Sequence, residues 1–205
     1  MPRGQRGQEL KEYQEGIYNS LKEVFGEELV EKEWNVAKNS RDDLTRKMYC
    51  PRIDIAVGPF RIDGTTNFQN PQMDQELERH RFFVERLFQN SESHGGNLDD
   101  FLGNRNENPR CFLAIEIEGS GSRKHMLGDV ANASIIGSIG IIIPFNEKKL
   151  KQFKKIKGYI TFATDAGKIR AVFKNILIIS KENFLTAITE TQRHAERGRN
   201  QEALV

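Results

Sequence analysis

The stretch CFLAIEIE, residues 111–118, constrains the fold most, because it has the composition of a buried strand and yet places two carboxylates on one face. With side chains alternating along a strand, Leu113, Ile115 and Ile117 share one face, and Phe112, Ala114, Glu116 and Glu118 share the other. A second segment has the same character. In YCPRIDIAVGPF, Ile53, Ile55 and Val57 alternate with Arg52, Asp54 and Ala56, and Pro51 and Gly58-Pro59 punctuate the ends. This predicts a strand with Asp54 at its centre.

The remaining elements follow from apolar periodicity. Leu10, Tyr13, Ile17, Leu21 and Val24 recur at helical steps, which predicts a helix over about 8–25 with Gly26 as its stop. VEKEWNVAK, with its imperfect alternation, is a weaker strand candidate. MDQELERHRFFVERLFQN reads as one helix, and the Ser-, Gly-, Asn- and Asp-rich residues 91–110 read as a mobile loop. After CFLAIEIE come a GSGS turn, a helix over about 123–136, the apolar strand SIGIIIPF, a lysine-rich helix, the strand NILIISKENF and a polar tail from about residue 190. The order helix, strand, strand, strand, helix, strand predicts an α/β fold with a central mixed sheet flanked by helices. At 205 residues, one domain with an insertion at about 60–110 accounts for the chain.

Composition narrows the function classes. Hydrophobic residues are 37% and charged residues 29%, a balance suited to a folded core. No apolar run reaches the roughly 18 residues of a membrane span, and the start lacks the apolar centre of a signal peptide, so a cytoplasmic location is expected. Two cysteines give no disulfide framework, and no His/Cys cluster has zinc spacing. The net charge is only +2, but EKKLKQFKKIK concentrates six lysines against one glutamate. That run is either a solvated helix face or a surface for phosphates, with Lys148, Lys149, Lys151, Lys154 and Lys155 as the contacting residues.

If the two acidic strands are neighbours with these faces aligned, Asp54, Glu116 and Glu118 converge within a few ångströms. Like charges so close are costly unless a cation neutralises them. All-oxygen ligands suit Mg²⁺ or Mn²⁺, and the backbone carbonyl of Ile117, between the glutamates, is a further candidate ligand. A metal held this way serves phosphodiester hydrolysis. The bland alternatives are a structural ion pair of Asp54 with Arg52 or Arg123, and an exposed edge for the glutamates. GSGS lacks the spacing of a nucleotide-binding loop and reads as a plain turn. His80 and His125 read as incidental.

Asp54, followed after a gap by Glu116-Ile117-Glu118 at the end of an apolar strand and then by a helix, resembles the PD-(D/E)XK nuclease superfamily. The resemblance covers roughly residues 8–145 and rests on element order as much as on the acids. It implies a restriction-endonuclease-like core, Asp54 and Glu116 as metal ligands, and Glu118 at the position of the lysine that orients or activates the attacking water. The sequence departs from the pattern: Pro51 stands three residues before Asp54, Glu118 replaces the lysine, and the gap between the motifs is long. Glu118 can bind metal or polarise water instead, and Lys124, opening the helix after GSGS, is a candidate for a displaced lysine. Glu9 is a candidate acid from the first helix. The implied activity is Mg²⁺-dependent DNA endonuclease, with a homodimer favoured by cutting of both strands. The alternatives are an inactive nuclease-like module that binds DNA or protein, and a phosphohydrolase of small molecules.

Overall fold

The computed structural model describes residues 3–36, 50–60, 71–92, 96–168 and 173–202. Part of the strand candidate at 37–38 and part of the insertion at 61–70 and 93–95 lie outside the described residues.

Helix α1, Arg3–Phe25, buries Ile17, Leu21 and Phe25 with Leu10 and Tyr13 packed alongside. It ends at Gly26, whose φ of 98° is a left-handed conformation that glycine adopts without a Cβ clash, and whose N–H closes on the Lys22 carbonyl at 2.9 Å. A short 3-10 turn leads into β1, Val30–Asn35, which pairs antiparallel with β2, Arg52–Val57. Strand β2 pairs antiparallel with β3, Cys111–Glu118, and β3 pairs parallel with β4, Gly137–Pro144. Strand β5, Ile176–Ile178, adds parallel to β4. The result is one five-stranded mixed sheet whose spatial order matches its chain order.

Helices cover both faces. On one lie α1, α2 (Pro71–Arg79), α3 (Arg81–Asn90), α4 (Leu98–Gly103) and α7 (Lys181–Glu202), around Leu77, Phe83, Leu87, Ile115, Ile141 and Phe184. On the other lie α5, Arg123–Ile136, and α6, Glu147–Asp165, whose Met126, Val130, Leu150 and Phe153 meet Ala56, Ala114 and Ile142. Burial on both faces explains why β3 and β4 are nearly continuous in apolar residues. The close approach of α5 depends on Gly140, where a Cβ would fall 2.8 Å from the Ala133 backbone.

Three elements differ from the sequence reading. The helix expected over 73–90 kinks at His80, where φ is −110° and the ring turns onto Phe25 with centroids 4.2 Å apart. The segment 91–110 contains α4, which Asn97 caps by accepting from the Asp100 N–H and which buries Phe101 and Leu102. In NILIISKENF only three residues are strand, because Ser180 caps α7 by accepting from the Asn183 N–H, and that helix then runs through the polar tail. Among the described residues no helix is long and apolar enough to cross a membrane.

Candidate active site

The antiparallel register sets Ile55 against Ile115 and Ala56 against Ala114, so Asp54 stands across from Glu116 on the face covered by α5 and α6. The Asp54 carboxylate accepts from the Ile117 N–H at 2.8 Å, tying the two acidic strands together where their ladder ends. Burial pushes the Asp54 pKa up to about 6 against that bond, and the Glu33 and Glu118 charges push the same way.

Glu116 is only 7% exposed. Burial first, and then the Asp54 and Asp129 charges, push its pKa up to about 9. Asp129, on α5, is pushed up to about 7 by burial and by the neighbouring Glu118 and Asp54 charges. Burial raises all three carboxyl groups, from β2, β3 and α5; the Asp54 charge adds to the rise at both Glu116 and Asp129, and the Asp129 charge adds to it at Glu116. Carboxyl groups raised together in one buried place make this the candidate site.

Glu118 has a different role. Its Oε1 accepts from the N–H groups of Ser120 and Gly121, and the Lys149 Nζ lies 3.6 Å from the same oxygen. The Lys149 ammonium also donates to the Gly121 carbonyl. The GSGS turn therefore spends its N–H groups on the protein's own carboxylate. A Cβ at Gly121 would meet Glu118 Oε2, so a side chain there would displace the carboxylate from its turn.

The lysine at this site comes from α6. Lys124 is exposed, because α5 packs through Met126, Val130 and Ala133 and position 124 lies on the opposite side of the helix. The candidate displaced lysine, Lys124, is therefore on the side of α5 away from the acids. Lys149, expected to face phosphates, turns inward and is 8% exposed. Lys154 pairs with Glu92 at 2.6 Å, and Lys148, Lys151 and Lys155 are exposed. Ile117 is placed by its N–H bond to Asp54, with its side chain in the opposite core. Arg52 binds Glu33 at 2.6 Å rather than Asp54. His125 caps α5 together with Ser122, and Glu9 is half-buried on α1, whose apolar stripe packs on the far face.

Sequence reasoning missed Asp129 and Glu33. Asp129 faces the acids because Met126 and Val130, on either side of it in α5, face the sheet. Glu33 falls opposite Asp54 in the β1 register, and its φ of 52° takes it out of the ladder. A left-handed glutamate beside a carboxylate cluster is local strain of the kind that gathers at functional sites.

The donor set suits a hard divalent cation. Every group is a carboxylate; the Asp129 carboxyl shares a hydrogen bond with Glu118, and its Oδ2 is buried with no hydrogen-bond partner. Among the described residues no three acids form a ready-made coordination shell, so the fit is one of charge and donor type. No protein-family model, curated protein or solved structure matches the chain.

Proposed function

We propose that the chain is a metal-dependent nuclease that hydrolyses phosphodiester bonds in DNA, built on a restriction-endonuclease-like core. The observation that carries this reading is the placement of Asp54 across from Glu116 on the face that α5 covers, with Asp129 of α5 near enough for its charge to raise Glu116, beside the Glu118–Lys149 pair. The order α1, β1, β2, β3, α5, β4 supports the core assignment. Asp54, Glu116 and Asp129 would hold Mg²⁺ or Mn²⁺, with Glu118 a fourth donor through Oε2. A bound divalent ion supplies Lewis-acid polarisation of a phosphoryl oxygen.

The chain's own residues do the rest. Glu116 surrenders its proton when a cation binds, which makes affinity rise with pH. Lys149, fixed by Glu118 and the Gly121 carbonyl, places a positive charge at the turn where the scissile phosphate would sit. It takes the electrostatic part of the lysine that position 118 lacks. Cutting of both strands would require two copies of the chain.

Glutamate at position 118, locked into its turn, favours one rival: a nuclease-like module that binds without cutting. Cleavage of supercoiled plasmid and short oligonucleotides with Mg²⁺ or Mn²⁺ separates the two. The nuclease reading expects cutting that falls about 100-fold or more in both Asp54→Asn and Glu116→Gln. Wild-type protein that binds DNA and cuts none of these substrates with either metal would establish the rival.

A further inference from the structure

Helix α6 carries a second pattern that leads away from the acids. Its buried side is Lys149, Leu150, Phe153, Ile160 and Ala163. At about 100° per residue, Lys148, Lys151, Lys155, Tyr159 and Phe162 fall within one outward stripe. All five are exposed, and Tyr159 and Phe162 are 64% and 63% exposed, two of the most open large apolar side chains described. No ion pair engages Lys148, Lys151 or Lys155 among the described residues. The only acids on α6, Glu147 and Asp165, stand at its two ends.

The stripe is about 21 Å long at 1.5 Å per residue. It starts beside the site: Lys148 precedes Lys149, whose ammonium reaches Glu118. We infer that this face of α6 is a track for single-stranded nucleic acid, with the three lysines on successive phosphates and Tyr159 and Phe162 stacking on unpaired bases. The inference rests on the nuclease reading for the strand's destination, and it narrows the substrate to single-stranded or frayed polynucleotide.

The lysines alone would serve any polyanion. The aromatic rings decide the class, because duplex bases already stack on one another and offer only their edges, whereas an unpaired base presents a π face. A solvated helix face would explain the lysines but not two rings left open on the same stripe. The order along the helix, charge near the acids and aromatics beyond, suits a strand gripped by its bases while a phosphate is fed to the carboxylates.

Fluorescence anisotropy tests this with a labelled oligothymidine of roughly 15 nucleotides and a duplex of the same length, both in chelator so that no cleavage occurs. The expected result is a single-strand preference of at least about tenfold. The double variant Tyr159→Ala, Phe162→Ala should remove that preference, and Tyr159→Trp, Phe162→Trp should restore it. The triple variant Lys148→Gln, Lys151→Gln, Lys155→Gln should flatten the salt dependence by about 2 in log–log slope, as expected for three single-strand phosphates. Equal affinity of wild-type protein for both probes, or single-strand affinity unchanged in the alanine variant with circular dichroism intact, would overturn the inference. So would an alanine variant whose only change is conversion of a dimer to a monomer in sedimentation, which would assign the face to a second copy. Single-strand binding without metal-dependent cleavage would sink the nuclease reading and leave the track standing. Metal-dependent cleavage without single-strand preference would do the reverse.

Discussion

Replacing Glu116 with glutamine should make the metal-free protein more stable at pH 8 and leave it nearly unchanged at pH 5, the opposite of the usual result for a buried residue in a packed site. In the unfolded chain Glu116 ionises near its ordinary 4.5, whereas in the folded protein burial, Asp54 and Asp129 raise it to about 9. Between those values the folded state holds a proton that the unfolded state has released, so folding stability falls as pH rises, by about 1.4 kcal/mol per unit. Its contribution is fully present below pH 4.5 and is lost progressively toward pH 9. From pH 5 to pH 8 the loss is about 4 kcal/mol. Glutamine has nearly the shape of the protonated acid and carries no such penalty. Urea unfolding at both pH values in chelator, with a constant m-value, measures the difference. The reasoning fails if Glu116→Gln is destabilised at pH 8 by as much as at pH 5.

The other predictions read neighbouring parts of the same construction. Lys149→Met should destabilise the protein by about 3 kcal/mol, because it removes the cation paired with Glu118 in a nearly closed site and leaves that charge to two N–H groups alone, and cleavage should fall with it; thermal melts and a nuclease assay check both. Gly121→Ala should cost about 2 to 3 kcal/mol in a thermal melt, since its Cβ would fall 2.2 Å from Glu118 Oε2 and force that carboxylate off the Ser120 and Gly121 N–H groups. Asn175→Ala should cost about 3 kcal/mol in urea unfolding, because the buried amide donates to the carbonyls of Ser134, Gly137 and Ser138 and so fastens α5 and β4 to the segment before β5.

The sheet was legible where burial and alternation coincide. Asp54 and Glu116 could be placed face to face because both strands show their period in sequence, and the antiparallel register then aligned the two residues. The end of α1 was legible because only a residue without Cβ takes a φ of 98° at little cost, and glycine follows the last apolar position. Local signals failed where tertiary contacts decide. Lys149 and Lys124 are both lysines in the opening turns of helices, and only the packing of α6 against the sheet selects Lys149. Asp129 sits in a helix whose face becomes evident once Met126 and Val130 are known to be buried. Ser180 ended β5 earlier than its apolar run suggested, since its side chain caps the following helix. Glu118 was read at the position of the lysine, able to bind metal or polarise water; that the two N–H groups of its own turn hold one of its oxygens is a bond that spacing alone does not reveal.

The most direct test of the central claim is calorimetric titration of Mn²⁺ into the metal-free protein near pH 7.5, repeated in two buffers of different ionisation enthalpy to count the protons released. With Glu116 at about 9 and Asp129 at about 7, the account predicts binding accompanied by release of about one proton per cation, weakened or abolished in Glu116→Gln and Asp129→Asn. Binding with no proton release, or no binding to a wild-type protein shown to be folded, would contradict the claim that these carboxylates form a cation site.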